Sequence, residues 1–207
     1  MFFCGCVSSG FVLAQESFHE DSRNLDVKFD YSTYTGTVRD NETDSTKNTS
    51  ASAIVLTPQM SWALGSAVSI GSSLGLSHYL DTAGTSVQMN GLDANFIFDL
   101  HFVRAPKVDM MLGLKMGVSG IRLYPADGTD DIYGSSGLTG DLHLMARFYV
   151  SEHLAILAGI GLPGYIFNKF GKNLNETSLI RLNGFSIGTG IAIKLLNQRT
   201  SGSARYM

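Results

Sequence analysis

The chain has 207 residues and 22.3 kDa; it is 44% hydrophobic but only 16% charged, with 23 glycines and a formal net charge of −3. Soluble domains carry about 25% charged residues, so the surface is poor in the groups that keep it wet, while the hydrophobic fraction excludes a largely disordered chain and a pI near 5.9 argues against a nucleic-acid partner. A membrane helix needs about 17–25 consecutive apolar residues, and stretches such as Leu154 to Asn168 are broken by Gly and Pro.

Met1 to Ala14 is apolar and rich in small residues, and the composition turns polar at Gln15. Val12 and Ala14 suit the −3 and −1 positions of a signal-peptidase site, so residues 1–14 are expected to be a signal peptide, although no Lys or Arg precedes the apolar run. Both cysteines, Cys4 and Cys6, lie in this segment, so the processed chain is expected to have no disulfide, zinc site or thiol nucleophile. Residues 15–24 read as a polar spacer.

From Leu25 the sequence alternates with period two, the signal of β-strands. Leu25, Val27, Phe29 and Tyr31 oppose Asp26, Lys28, Asp30 and Ser32. Arg39 to Ser52 lacks a hydrophobic period and reads as a long polar loop. Ile54, Leu56, Met60, Trp62 and Leu64 form the second strand, a turn at Gly65-Ser66 follows, and Val68, Ile70, Leu74 and Leu76 mark the third. After a loop at Asp81 to Ser86 come Leu92 to Phe102, a turn at Arg104 to Lys107, and Met110 to Val118. A longer loop, Pro125 to Gly137, precedes Leu138 to Val150; then follow the turn Ser151-Glu152-His153, the strand Leu154 to Leu162, the loop Phe170 to Ser178 and the strand Phe185 to Leu195. The reading is eight strands with short and long connections alternating, ending in a polar tail, residues 197–207.

The composition of the polar face decides which side is inside. On the third strand it reads Ser69, Gly71, Ser73, Gly75, Ser77, and on the eighth Gly184, Ser186, Gly188, Gly190, Ala192. A water-facing surface would carry Lys and Glu, whereas an eight-stranded barrel has an interior just wide enough for side chains to fill. Only helices and closed barrels satisfy their backbone in hydrocarbon, and a spanning strand needs about 9–11 residues, which each segment supplies. The fold class expected is therefore all-β, an eight-stranded antiparallel up-and-down transmembrane β-barrel over residues 25–196, with Trp62, Phe102 and Phe148 in an aromatic girdle beside the short turns. Pro58 and Pro163 deprive the closed sheet of an N–H each, and a bulge or strand end is expected near both.

With those strands and turns the chain resembles the small eight-stranded outer-membrane barrels of the OmpA/OmpX type. The resemblance is architectural and implies residence in a bacterial outer membrane, contact with outer-membrane lipid, and insertion by the barrel assembly machinery, to which Gly184 to Leu195 would serve as the signal. It further implies a structural or interaction role with an envelope-protein partner; alternatives are a small-solute or ion channel, a lipid-modifying enzyme, and a soluble ligand-binding barrel.

The charged residues of the inner face are the candidate site. A register set by a turn centred on Ala105 places Lys115 opposite Asn95, with Asp93 diagonal to it. Asp141 and His143 fall at similar height, giving a polar cluster of Asp93, Asn95, Lys115, Asp141 and His143, with Asp99, His101 and Arg147 nearer the short turns. Its primary reading is structural, because buried charges must pair; an ion-gating or proton-relay network is the functional alternative. No catalytic, cofactor or metal site is expected. Ser77 and His78 are adjacent on one strand and so point to opposite faces, which rules them out as a nucleophile and base. Asp127, Asp130 and Asp131 crowd three carboxylates without the spacing of a calcium loop.

Overall fold

The computed structural model describes residues 22–40, 44–82, 87–125, 133–168 and 178–195. The signal peptide, most of the spacer, the tail, and the Asp127, Asp130 and Asp131 carboxylates lie outside the described residues, as do parts of the four long connections. The strands are β1 (Arg23–Asp40), β2 (Ser45–Ala63), β3 (Val68–Thr82), β4 (Val87–Ala105), β5 (Val108–Pro125), β6 (Tyr133–Tyr149), β7 (Leu154–Asn168) and β8 (Ser178–Leu195). Each pairs antiparallel with its neighbours in sequence, and β8 pairs with β1 to close the barrel.

The alternation read from the sequence is the alternation of the wall. Inward positions such as Ser69, Ser73 and Ser77 are buried, while Phe96, Val118, Leu138, Leu162 and Ile187 stand more than half exposed on the outside. This outer belt of aliphatic and aromatic side chains runs over every strand, an arrangement that suits a bilayer. Stepping along paired residues from Asp26 through Gln59, Ser73, Asn95, Gly117, Thr139, Tyr165 and Leu182 returns to β1 at Gly36, ten residues further on. That stagger tilts the strands by about 40° and leaves a bore that side chains fill.

Four details differ from the sequence reading. Arg39 to Ser52 is not one long loop: β1 runs to Asp40 and β2 begins at Ser45. Just ahead of β2, Asp44 takes the left-handed φ of 50° and accepts a 2.7 Å bond from Arg39; an aspartate tolerates that conformation better than most residues. The loop expected at Pro125 to Gly137 is likewise shortened, because β5 includes Pro125 and β6 begins at Tyr133.

The prolines produce neither a bulge nor a strand end. β2 and β3 pair on both sides of Thr57-Pro58 and β7 and β8 on both sides of Leu162-Pro163, each with the register preserved across the gap. The sheet omits the bonds a proline cannot donate and continues. Register shifts occur instead at Ser52/Ala53 and at His101/Val103, where Phe102 is the extra residue. The β4–β5 turn is only Pro106-Lys107, with Ala105 paired to Val108. Turn and bulge together move Lys115 opposite Ile97, while Asn95 faces Gly117 and Asp93 faces Ser119. Lys115 is therefore two residues out of the register expected of it.

Candidate functional site

The lumen is built in three storeys. At the short-turn end Arg147 of β6, fully buried, donates from Nη1 to Asp109 of β5 at 2.9 Å and from Nη2 to Asp26 of β1 at 2.7 Å. Asp109 also accepts from His101 Nδ1 at 2.7 Å, leaving His101 Nε2 to meet the Ser69 hydroxyl at 3.0 Å. Asp26 accepts a further 2.8 Å bond from Gln59. One guanidinium, two carboxylates, an imidazole and an amide thus close the bore, with Met111, Met145, Ala155, Leu157 and Ala192 packed as an apolar cluster at the same end. Hydrogen bonds with ionised partners are the strong class, and a buried charge is tolerated only when paired in this way.

The middle storey is polar and less tightly joined. His143 Nε2 donates to Asp99 at 3.0 Å, and its Nδ1 stands 3.8 Å from Asp141. Lys28 and Asp30 approach to 3.5 Å. Lys115 sits directly across the ladder from Asp141. It lines a cavity of about 50 Å³ together with Asp30, Asp93, Asn95 and Asp141. No direct ion pair joins Lys115 to these carboxylates among the described residues, and Asp93 Oδ1, Asn95 Oδ1 and Asp141 Oδ1 make no hydrogen bond to protein. A polar space of this size holds a few water molecules, the natural link between such groups.

The upper storey, toward the long connections, is apolar. Tyr34, Tyr79, Met89, Ile121, Tyr165, Phe167 and Leu182 form one buried cluster with Ala51, Ala53 and Val55. Tyr165 stacks on Phe167 at 5.6 Å and meets Tyr34 edge-on at 5.6 Å, with Tyr79 6.0 Å from Tyr34. Aromatic pairs at these separations attract beyond the effect of area alone. The Tyr165 hydroxyl donates to Asp93 Oδ2 at 3.0 Å, tying the aromatic layer to the polar storey below.

The structure thus splits the cluster expected from the sequence. Asp93, Asn95, Lys115 and Asp141 share the cavity; His143 joins Asp99 rather than Asp93; His101 and Arg147 belong to the lower network. Asp26, Asp109 and Gln59 complete that network and were not singled out as site residues, nor were the aromatics of the upper storey. Each lies on the inward parity of its strand, so continuing the count to the strand ends would have found them. On the outer wall Trp62, Phe102 and Phe148 all stand near the short-turn end, with Trp62 paired to Arg23 and Phe148 to Val108. Ser77 faces the lumen, while His78 points outward and its Nδ1 lies 2.8 Å from Asn90 Oδ1.

No protein-family model matches the sequence, and no curated protein matches it. Solved structures match by shape. The outer membrane protein OprG from Pseudomonas aeruginosa superposes with a TM-score of 0.52 at 8% identity, covering 87% of this chain and 98% of that one. The outer membrane protein AlkL, determined in lipid bilayers, superposes with a TM-score of 0.57 at 10% identity, covering 87% and 93%. At such identities the likeness is one of fold. Taken with the closed eight-stranded wall, the apolar belt and the filled bore, it gives this chain the fold of the small outer-membrane β-barrels.

Proposed function

We propose that this is an integral outer-membrane barrel with a structural or interaction role: its lumen neither transports nor catalyses, and its long connections face outward to engage an envelope partner. The observation that carries this reading is the double closure of the bore, by the Arg147–Asp26–Asp109 network at one end and the Tyr34–Tyr165–Phe167 layer at the other. The cavity between them, about 50 Å³, is of a size for water and not for a solute. The outer belt supports the membrane placement, since a contiguous apolar surface of this extent has no partner in water.

Two measurements test it. Reconstituted in planar bilayers, the barrel is expected to show no steady single-channel conductance; sizeable, steady openings would favour the ion-channel reading. Crosslinking in intact cells is expected to capture an envelope protein through the long connections, and recovery of only uncrosslinked monomer would count against an interaction role.

A further inference from the structure

The outer wall carries a feature that neither lumen nor loops explain. Where β6 and β7 pair, two outward positions that face each other, Gly140 and Gly164, have no side chain. Lumen glycines are enforced by crowding: a Cβ at Gly113 would collide with Asp99 Oδ1 and His143 Nε2, and one at Gly188 with Asp30 Oδ1. The outer pair is different, since a Cβ would come no closer than 3.7 Å to any atom at Gly140 and 3.5 Å at Gly164. Leucine or valine would fit there, as on the rest of the belt. The gap opens a groove in the wall, bounded by Leu138 and Ile166 above and by Met116 on one flank, with Arg181 and Asn183 on the other.

Charge on the wall is equally particular. Among the strand residues whose side chains are described, every carboxylate belongs to the inward set, whereas Arg39, Arg122 and Arg181 point out near the long-connection end, Arg39 being paired with Asp44 of the adjoining turn. Along one paired row Val118, Leu138, Ile166 and Arg181 succeed one another. The ten-residue stagger lifts that row by about four residues over three strands, so Arg122 of β5 and Arg181 of β8 stand at nearly the same height. Two guanidiniums at one level on the rim of an apolar belt mark a plane of anionic headgroups, which an arginine binds through bidentate hydrogen bonds.

We infer that the Gly140/Gly164 groove docks one acyl chain of a phosphorylated outer-leaflet lipid whose phosphate is held by Arg181. The groove opens onto hydrocarbon along its length and ends at a cation, which matches a lipid in both shape and charge. A second copy of the chain fits poorly: a two-fold contact presents the same patch from both sides, bringing two Arg181 side chains together with no carboxylate in the groove lining to pair them. The inference rests on the membrane placement proposed above and concerns the wall, not the loops.

The test is native mass spectrometry of the folded, detergent-solubilised full chain incubated with lipid A or with phosphatidylcholine of matched chain length. Wild type should retain one lipid A per barrel and exchange phosphatidylcholine freely. Arg181→Gln should lower lipid A retention about tenfold, the worth of one charge-assisted hydrogen bond, and Gly164→Leu or Gly140→Leu should abolish it by filling the groove. Ser72→Leu fills a second wall groove, lined by residues of β1 to β4, that has no charged residue in its lining, and should leave retention unchanged. Equal retention of both lipids, no lipid retained by wild type, or undiminished retention in Arg181→Gln would overturn the inference. So would a wild-type dimer that Gly164→Leu turns into monomer without loss of lipid. Heat-modifiable migration in gels reports barrel folding separately, so failure of the membrane-barrel reading is distinguishable from failure of the lipid site.

Discussion

Arg147 offers the sharpest test of how the lumen is held. Its guanidinium is the cation through which β6 reaches both Asp26 on β1 and Asp109 on β5, and all three side chains are fully buried. Arg147→Met keeps much of the volume but leaves two buried carboxylates without their guanidinium, with Gln59 still donating to Asp26 and the His101 N–H to Asp109. Removing one partner from a buried ion pair costs about 3–5 kcal/mol, more than the pair itself contributes over a neutral replacement. Taking about 4 kcal/mol and an m-value of about 2 kcal/mol per molar, the urea midpoint in lipid vesicles should fall by about 2 M. Trp62, the single tryptophan, reports the transition by fluorescence. The triple variant Arg147→Met, Asp26→Asn, Asp109→Asn removes the stranded charges while retaining acceptors for Gln59 and His101, and should recover most of the loss. An Arg147→Met midpoint close to wild type would refute the claim that the network is a charge-paired seal. A triple variant no more stable than the single one would refute the claim that unpaired carboxylates are the cause.

Two other outcomes separate inside from outside. Gly113→Ala should destabilise the barrel by about 1–3 kcal/mol in the same assay, because its methyl displaces the His143–Asp99 bond and leaves buried polar groups unsatisfied. Gly120→Ala on the outer face, where the nearest atom to a Cβ is 3.9 Å away, should change stability by less than about 0.5 kcal/mol. Trp62 fluorescence should be quenched more strongly by lipids brominated near the headgroup than by lipids brominated near the chain end; the reverse order would remove it from an interfacial girdle.

The fold was legible because the wall has two faces with opposite demands. Ser69 to Ser77 and Gly184 to Ala192 are small at alternate positions since the bore admits nothing larger beside the buried acids and aromatics, and the intervening residues are apolar because they meet lipid. Where those demands lapse, the period lapses with them. Residues 37–40 and 45–50 are paired strand, yet much of their length is partly or fully exposed on both faces, and their Thr, Asn and Ser residues carry no alternation. Site residues were legible as a set but not as pairs. One bulge at Phe102 and a two-residue turn in place of a longer one displace Lys115 from Asn95 to Ile97, and neither feature leaves a mark in the hydrophobic pattern. Tyr165 and Phe167 are aromatic on an inward parity, so composition alone assigns them to the lipid face; only the strand count places them in the bore.

The low charge fraction also takes on a structural meaning at the level of contacts. Each backbone ladder ties a strand only to its immediate neighbours, so a barrel this long could deform without breaking a single rung. The lumen side chains supply what the ladders lack: Arg147 ties β6 to β1, His143 ties β6 to β4, and Tyr165 ties β7 to β4, each across strands that share no backbone bond. A soluble domain would achieve such cross-bracing with an apolar core, but here the apolar residues face the other way. The few charges the sequence retains within the strands are therefore placed where direction matters: inward carboxylates and their partners set the cross-section of the bore by joining strands that the backbone ladders leave apart.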